Sequence, residues 1–127
     1  MEWLPAPEIH QQISQLITSL NLNHIDPKRI ICFRSNGSVA RARARIWSFP
    51  RVWQLALNLP PHYVIEILSE KFDNLTRDDQ TRVLIHELMH IPKTFSGALA
   101  PHHGRFHAIN HHSVETLFRQ YQKSLSK

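Results

Sequence analysis

Apolar positions along the chain change their spacing several times, and each change marks an element. Ile9, Ile13, Leu16, Ile17 and Leu20 recur at helical spacing, with Gln11, Gln12 and Gln15 between them. Pro7 stands where a first-turn proline is tolerated, so a packing helix is predicted from about Pro7 to Leu20. Arg29 to Arg34 is rich in β-formers, Ser35-Asn36-Gly37-Ser38 follows, and Val39 to Trp47 returns. Asn-Gly between two such runs predicts a hairpin. A two-residue loop there pairs Phe33 with Ala40 and Ile31 with Ala42. Those residues, with Ala44 and Ile46, make the face expected to look at the helices. Arg34, Arg41, Arg43 and Arg45 make the other, with Cys32 and Trp47 among them. Phe49-Pro50 breaks the strand. Arg51 to Leu59 is expected to be a short helix closed by Pro60-Pro61, with Trp53 as a core anchor. His62 to Leu68 reads as a strand, with Val64, Glu66 and Leu68 on one side and Tyr63, Ile65 and Ile67 on the other. Such a strand is either an inner core strand or a sheet edge able to take an extended peptide.

Thr76 and Asp79 fit a capping pattern, and Leu75, Val83, Leu84, Leu88 and Ile91 then give an apolar side at helical spacing. Pro92 stops this helix. Lys93 to Pro101 is a connection with Gly97 as its turn. Phe106, Ile109, Val114, Leu117, Phe118 and Tyr121 predict a last helix from about Arg105 or Asn110 to Lys123. The pattern is α+β: one domain over residues 1–127, with a small, mostly antiparallel sheet packed on about three to four helices. The sheet is expected to consist of the hairpin plus the strand before the capped helix.

The capped helix carries the chemistry. It contains His86-Glu87-Leu88-Met89-His90, an H-E-x-x-H. Positions i and i+4 share a helix face, so His86 and His90 can hold one metal ion together. Glu87 is then placed to act as general base on a water carried by that metal. A catalytic zinc site takes three protein ligands, so the chain beyond Pro92 has to return one more. His102, His103, His107 and Glu115 are the candidates, with His102, the first histidine after the turn, preferred and His103 its rival. A spare histidine, His107, Arg105 or Tyr63 can orient substrate or stabilise an oxyanion. His111 and His112 are expected at the surface or behind the ligands.

Composition adds three constraints. Seven of the 10 histidines lie between His86 and His112, clustered beside the motif. The single cysteine, Cys32, allows no internal disulfide; it fits a reducing, cytoplasmic setting and is expected as an inert core residue. The first residues have no basic start and no long apolar run, so neither a signal peptide nor a membrane span is expected, and no membrane partner. The net charge of +5 favours polyanions or acidic partners. Arg41, Arg43 and Arg45 are read first as a solvated face, and second as a nucleic-acid-binding stripe.

Several stretches together resemble a known family. They are Arg34-Ser35-Asn36-Gly37-Ser38, Ala44-Arg45-Ile46-Trp47, His62-Tyr63-Val64-Ile65-Glu66 and His86 to Gly97. The sequence is similar over most of its length to the putative phage metallopeptidase domain of archaea, bacteria and phages, and more distantly to SprT-like zinc peptidases. The first resemblance implies a minimal zincin-like fold, peptidase activity, and a histidine soon after Phe95-Ser96-Gly97 behind a proline, which Pro101-His102 matches. The SprT-like pattern, histidine then glycine, fits His103-Gly104 instead.

The leading expectation is therefore a zinc metallopeptidase that hydrolyses peptide bonds of a peptide or protein substrate. His86, His90 and His102 (or His103) hold Zn2+, and Glu87 is the base. The alternative is a metal-stabilised nucleic-acid- or protein-binding module without peptidase activity. Oligomeric state and cleavage preference are not encoded in any pattern here.

Overall fold

The computed structural model describes residues 1–103 and 108–126. It is an α+β fold, with a four-stranded mixed sheet and five α-helices among those residues. In chain order the elements are β1 (Glu2–Pro5), α1 (Pro7–Ser19), β2 (Ile30–Asn36), β3 (Ala44–Trp47), α2 (Arg51–Leu57), β4 (Tyr63–Leu68), α3 (Ser69–Phe72), α4 (Arg77–Met89) and α5 (His111–Leu125). The three long helices lie within a residue or two of the spans their periodicity predicts. Thr76 Oγ1 accepts from Asp79 N at the start of α4, and Asn110 and Ser113 cap α5 reciprocally.

The sheet departs from the expected hairpin. Its order is β1-β2-β4-β3, so β2 and β3 are not neighbours. β1 pairs antiparallel with one side of β2, and β4 pairs parallel with the other. Both sides of β2 are thus taken, and β3 joins antiparallel to the far side of β4. Asn36 stays in β2 opposite Glu2. Gly37 has φ 84° and donates its N–H to Glu70 Oε1, which turns the chain away from β2 instead of back along it. The five helices also exceed the expected three to four, because Ser69–Phe72 forms its own turn of helix. β4 is an inner strand, which answers the question left open for it.

The two faces of β2 are exchanged relative to expectation. Ile30 and Cys32 face the helices and are buried, whereas Ile31 lies on the open face, 43% exposed. Ala44 and Ile46 do face the helices, beside Ile67 and Ile65. The arginines do not share a face. Arg34 reaches Glu8 and Asp73 on the helical side, at 2.7 and 2.8 Å. Arg45 lies across from Glu66 on the open side, and β3 begins only after Arg41 and Arg43.

The core lies between the sheet and α1, α4 and α5. Ile9, Ile13 and Leu16 meet Ile65, Ile67, Leu84, Ile85, Leu88 and Phe118, all almost fully buried. Each such side chain contributes about 1.5–3 kcal/mol by leaving water. Cys32 is buried as expected, and burial pushes its thiol pKa up to about 12. Trp53 is not a core anchor: it is 55% exposed. The buried residue of α2 is Gln54, whose amide donates to Phe49 O and Ser96 O at 2.9 and 2.8 Å. Turning Gln54 inward turns Trp53 out.

Candidate metal centre

Helix α4 buries Leu84, Ile85 and Leu88 against the core, which leaves His86, Glu87 and His90 to the side facing β3. His90 is the C-cap but keeps helical angles (φ −73°, ψ −11°), so the i, i+4 relation to His86 survives to the end of the helix. Their ring centroids are 5.2 Å apart.

The connection after Pro92 brings back the third histidine. Phe95 takes a left-handed conformation (φ 47°), a strain of roughly 1–2 kcal/mol that loop anchoring has to offset. Gly97, φ 92°, packs so closely on Phe49 and Gln54 that an added Cβ would collide with the Phe49 carbonyl. Its N–H donates to the Tyr63 hydroxyl, which in turn donates to Ala98 O at 2.7 Å. Tyr63 is 1% exposed and its hydroxyl is committed to this loop, so it anchors the connection and does not face a reacting group. Ala100 then grips His90 twice: its N–H donates to His90 O, and its carbonyl accepts from His90 Nδ1, both at 2.7 Å. The next two residues are Pro101 and His102.

His102 completes a cluster. One ring nitrogen from each of His86, His90 and His102 lies within 4.8 Å of the others. His86 Nε2 and His102 Nε2 face each other at 3.1 Å, and the His90 and His102 ring centroids are 4.5 Å apart. Because His90 Nδ1 donates to Ala100 O, its Nε2 keeps a lone pair for a ligand. Burial, then the neighbouring His90 and His102, hold the His86 pKa down to about 4, so its ring is neutral at physiological pH. Three imidazoles at this spacing suit one ion with metal–nitrogen bonds of about 2.0–2.1 Å.

Glu87 is 7% exposed, and its Oε2 is buried without a hydrogen-bond partner among the described residues. Burial pushes its pKa up to about 8. A buried carboxylate oxygen without a partner is costly unless something outside the chain satisfies it. The donor set and this orphaned oxygen, side by side in one cavity of about 360 Å3, fit a metal ion and a ligand on it.

A family described as Putative phage metallopeptidase matches residues 1–124. The chain belongs to that family. No curated protein and no solved structure matches it. For a member of a metallopeptidase family, the three histidines are the group, among the described residues, that could hold a metal ion. The other candidates that the structure describes fall elsewhere. His103 is exposed and pairs by a backbone bridge with Ala108. Glu115 binds Arg82 at 2.9 Å. His111 and His112 are exposed on the first turn of α5. Gly104, Arg105 and His107 lie outside the described residues.

Sequence reasoning missed two groups that shape this centre. Gln54, with Tyr63 (expected instead as an oxyanion or substrate contact), holds the connection, and a lone glutamine in the otherwise apolar run Val52 to Leu57 was the available signal. Glu66 was missed too. It is fully buried on β4, where it accepts from Ser35 Oγ (2.5 Å), Arg45 Nε (2.7 Å) and Trp47 Nε1 (2.9 Å). Through Arg45 and Trp47 it holds β3, the strand that walls the histidine cavity. Among the described residues no helix is long and apolar enough to cross a membrane.

Proposed function

We propose that this chain is a zinc-dependent peptidase in which His86, His90 and His102 hold the ion and Glu87 transfers protons. The observation that carries the reading is the convergence of three imidazoles beside a buried, unpartnered carboxylate oxygen. A three-histidine set suits zinc, which when bound supplies Lewis acidity at an open coordination position. Ionised beside a bound cation, which would lower its raised pKa, Glu87 accepts the proton of the attacking water and delivers it to the leaving amine, with Oε2 as the acceptor atom. His90 is held to one tautomer by Ala100 O, so its ring keeps its aim through the cycle. The buried thiol of Cys32 takes no part; its burial agrees with a cytoplasmic setting.

The geometry of β3 supports an extended polypeptide as substrate. β3 is the sheet edge beside the histidines. Arg43 O accepts from Leu68 N, and the alternation of an antiparallel ladder then turns Arg43, Arg45 and Trp47 toward β4. The main-chain groups of Ala44 and Ile46 point the other way, to the free edge. An extended peptide adding there would run past the histidines and Glu87.

The test is zinc per chain, by mass spectrometry on untagged protein, for wild type, His102→Ala and His103→Ala. About one zinc per chain is expected in wild type and His103→Ala, with loss in His102→Ala. Loss only in His103→Ala would move the third ligand, and no zinc in any protein after reconstitution would sink the reading.

A further inference from the structure

Three neighbouring cavities with shared lining residues follow the free edge of β3. The central one holds the histidines and Glu87. It shares Ala44, His86 and Glu87 with a cavity of about 480 Å3 at the start of β3. It shares Leu99 with one of about 710 Å3 beyond the end of the strand, where Ser48, Pro50 and Arg51 contribute. The result is a cleft that follows one strand edge with the histidines midway.

The charges in this cleft are unevenly satisfied. At the first end, Arg82 is bound to Asp79 and Glu115, and Arg119 pairs with Glu115 as well, so two cations match two carboxylates. Arg45, in the middle, is bound to buried Glu66. Arg43 lines the first end and Arg51 the far end, and among the described residues neither lies in an ion pair. Arg51 is the sole charged residue lining its cavity. The sequence from Ser35 to Ile65 contains no Asp or Glu, so this stretch cannot supply a partner to either.

We infer that the cleft selects polypeptide segments with acidic side chains on both sides of the bond to be cut, Arg43 receiving one and Arg51 the other. The inference rests on the peptidase reading for the position of that bond. Fixed positive charges in a walled cleft concentrate and orient an oppositely charged ligand. A peptide is favoured over a nucleic acid because the free main-chain groups of Ala44 and Ile46 lie between the two arginines. Those groups can pair with an extended amide backbone, and a sugar–phosphate backbone offers no such ladder.

The experiment measures binding, so it does not depend on turnover. Fluorescein-labelled peptides of one length carry Glu, Gln or Lys on both sides of a central apolar residue. Their anisotropy is followed on zinc-reconstituted Glu87→Gln protein, and on the same protein with Arg43→Glu and Arg51→Glu added. The Glu peptide should bind about tenfold more tightly than the Gln peptide, the sum expected of two partly exposed ion pairs. The Lys peptide should bind more weakly still, and the double charge reversal should invert the order. Equal binding of all three peptides, or an order that survives the reversal, overturns the inference. So does a labelled single-stranded oligonucleotide that binds more tightly than the Glu peptide and is released by the same substitutions. Both arginines are exposed, so circular dichroism should show the variants folded. Failure of the peptidase reading would look different: the charge preference persists while zinc-loaded wild type cuts none of the peptides.

Discussion

Two buried glutamates flank the same edge strand, and they are opposites. Glu66, 0% exposed, sits on the sheet side of β3 and accepts hydrogen bonds from Ser35, Arg45 and Trp47. Glu87, 7% exposed, sits on the helix side, and its Oε2 has no partner among the described residues. Burial raises the pKa of both. In Glu66 the bonds from Arg45, Ser35 and Trp47 outweigh it, and the carboxyl falls below its ordinary value. In Glu87 nothing opposes it, and the value rises to about 8. A carboxylate surrounded by donors stabilises a fold; one deprived of them is available for chemistry.

The largest expected effect tests the second half of that contrast. Glu87→Gln keeps the shape of the side chain and removes the proton acceptor. Peptide cleavage should fall about 10²–10⁴-fold, the usual worth of a positioned general base. Zinc content should stay at the wild-type level, and the thermal midpoint should move little, because Oε2 has no bond to lose among the described residues. A variant that loses zinc or stability together with activity would make Glu87 a structural residue and erase the contrast.

Glu66→Ala tests the first half. It leaves the Arg45 guanidinium and the Trp47 indole without their acceptor. Removing one partner of a buried pair costs about 3–5 kcal/mol, and the partial exposure of Arg45 places this case near about 3 kcal/mol. The midpoint should drop by roughly 10 °C in a domain of this size. Zinc binding at saturating metal should persist, since no histidine ligand touches Glu66. Equal stability in calorimetry would show that the network is dispensable.

The two glutamates were not equally legible in the sequence. Glu87 stood out because the pattern around it is local: a four-residue spacing on one capped helix fixes its neighbours. The same locality made α1, α4 and α5 readable from their apolar spacing. Glu66 drew no notice, because its partners arrive from Ser35 on β2 and from Arg45 and Trp47 on β3, and only the strand order brings them together. That order was misread. Asn36-Gly37 carries a strong hairpin signal, but β1 and β4 occupy both sides of β2 and exclude β3. Trp53 was misplaced for a related reason: hydrophobicity alone does not say that Gln54 is the residue needed inside. The preference for His102 over His103 followed chain order and the proline before it. The structure places His102, and not His103, beside His86 and His90, and Ala100, through its two bonds to His90, fixes where the next two residues emerge.

The smallest effect is a pH dependence that isolates Glu66 from the metal centre. Its folded pKa lies below its unfolded value, which is near the ordinary glutamate figure of about 4.3. The stabilisation from its ionised form is therefore complete above that unfolded value. It is lost as pH falls through the lower, folded value. Glu8, Glu70 and Glu115 shift in the same direction, so the wild-type acid limb contains several contributions. Glu66→Gln subtracts one of them. It retains an oxygen to accept from Arg45 and Trp47 but has no proton to gain. As pH falls below about 4.3 the wild-type midpoint should fall further than that of Glu66→Gln. Parallel curves would mean that Glu66 is held no better as a carboxylate than as a neutral acceptor. The lowering of its pKa would then have no energetic weight, and its hydrogen bonds, not its charge, would be what distinguishes it from Glu87.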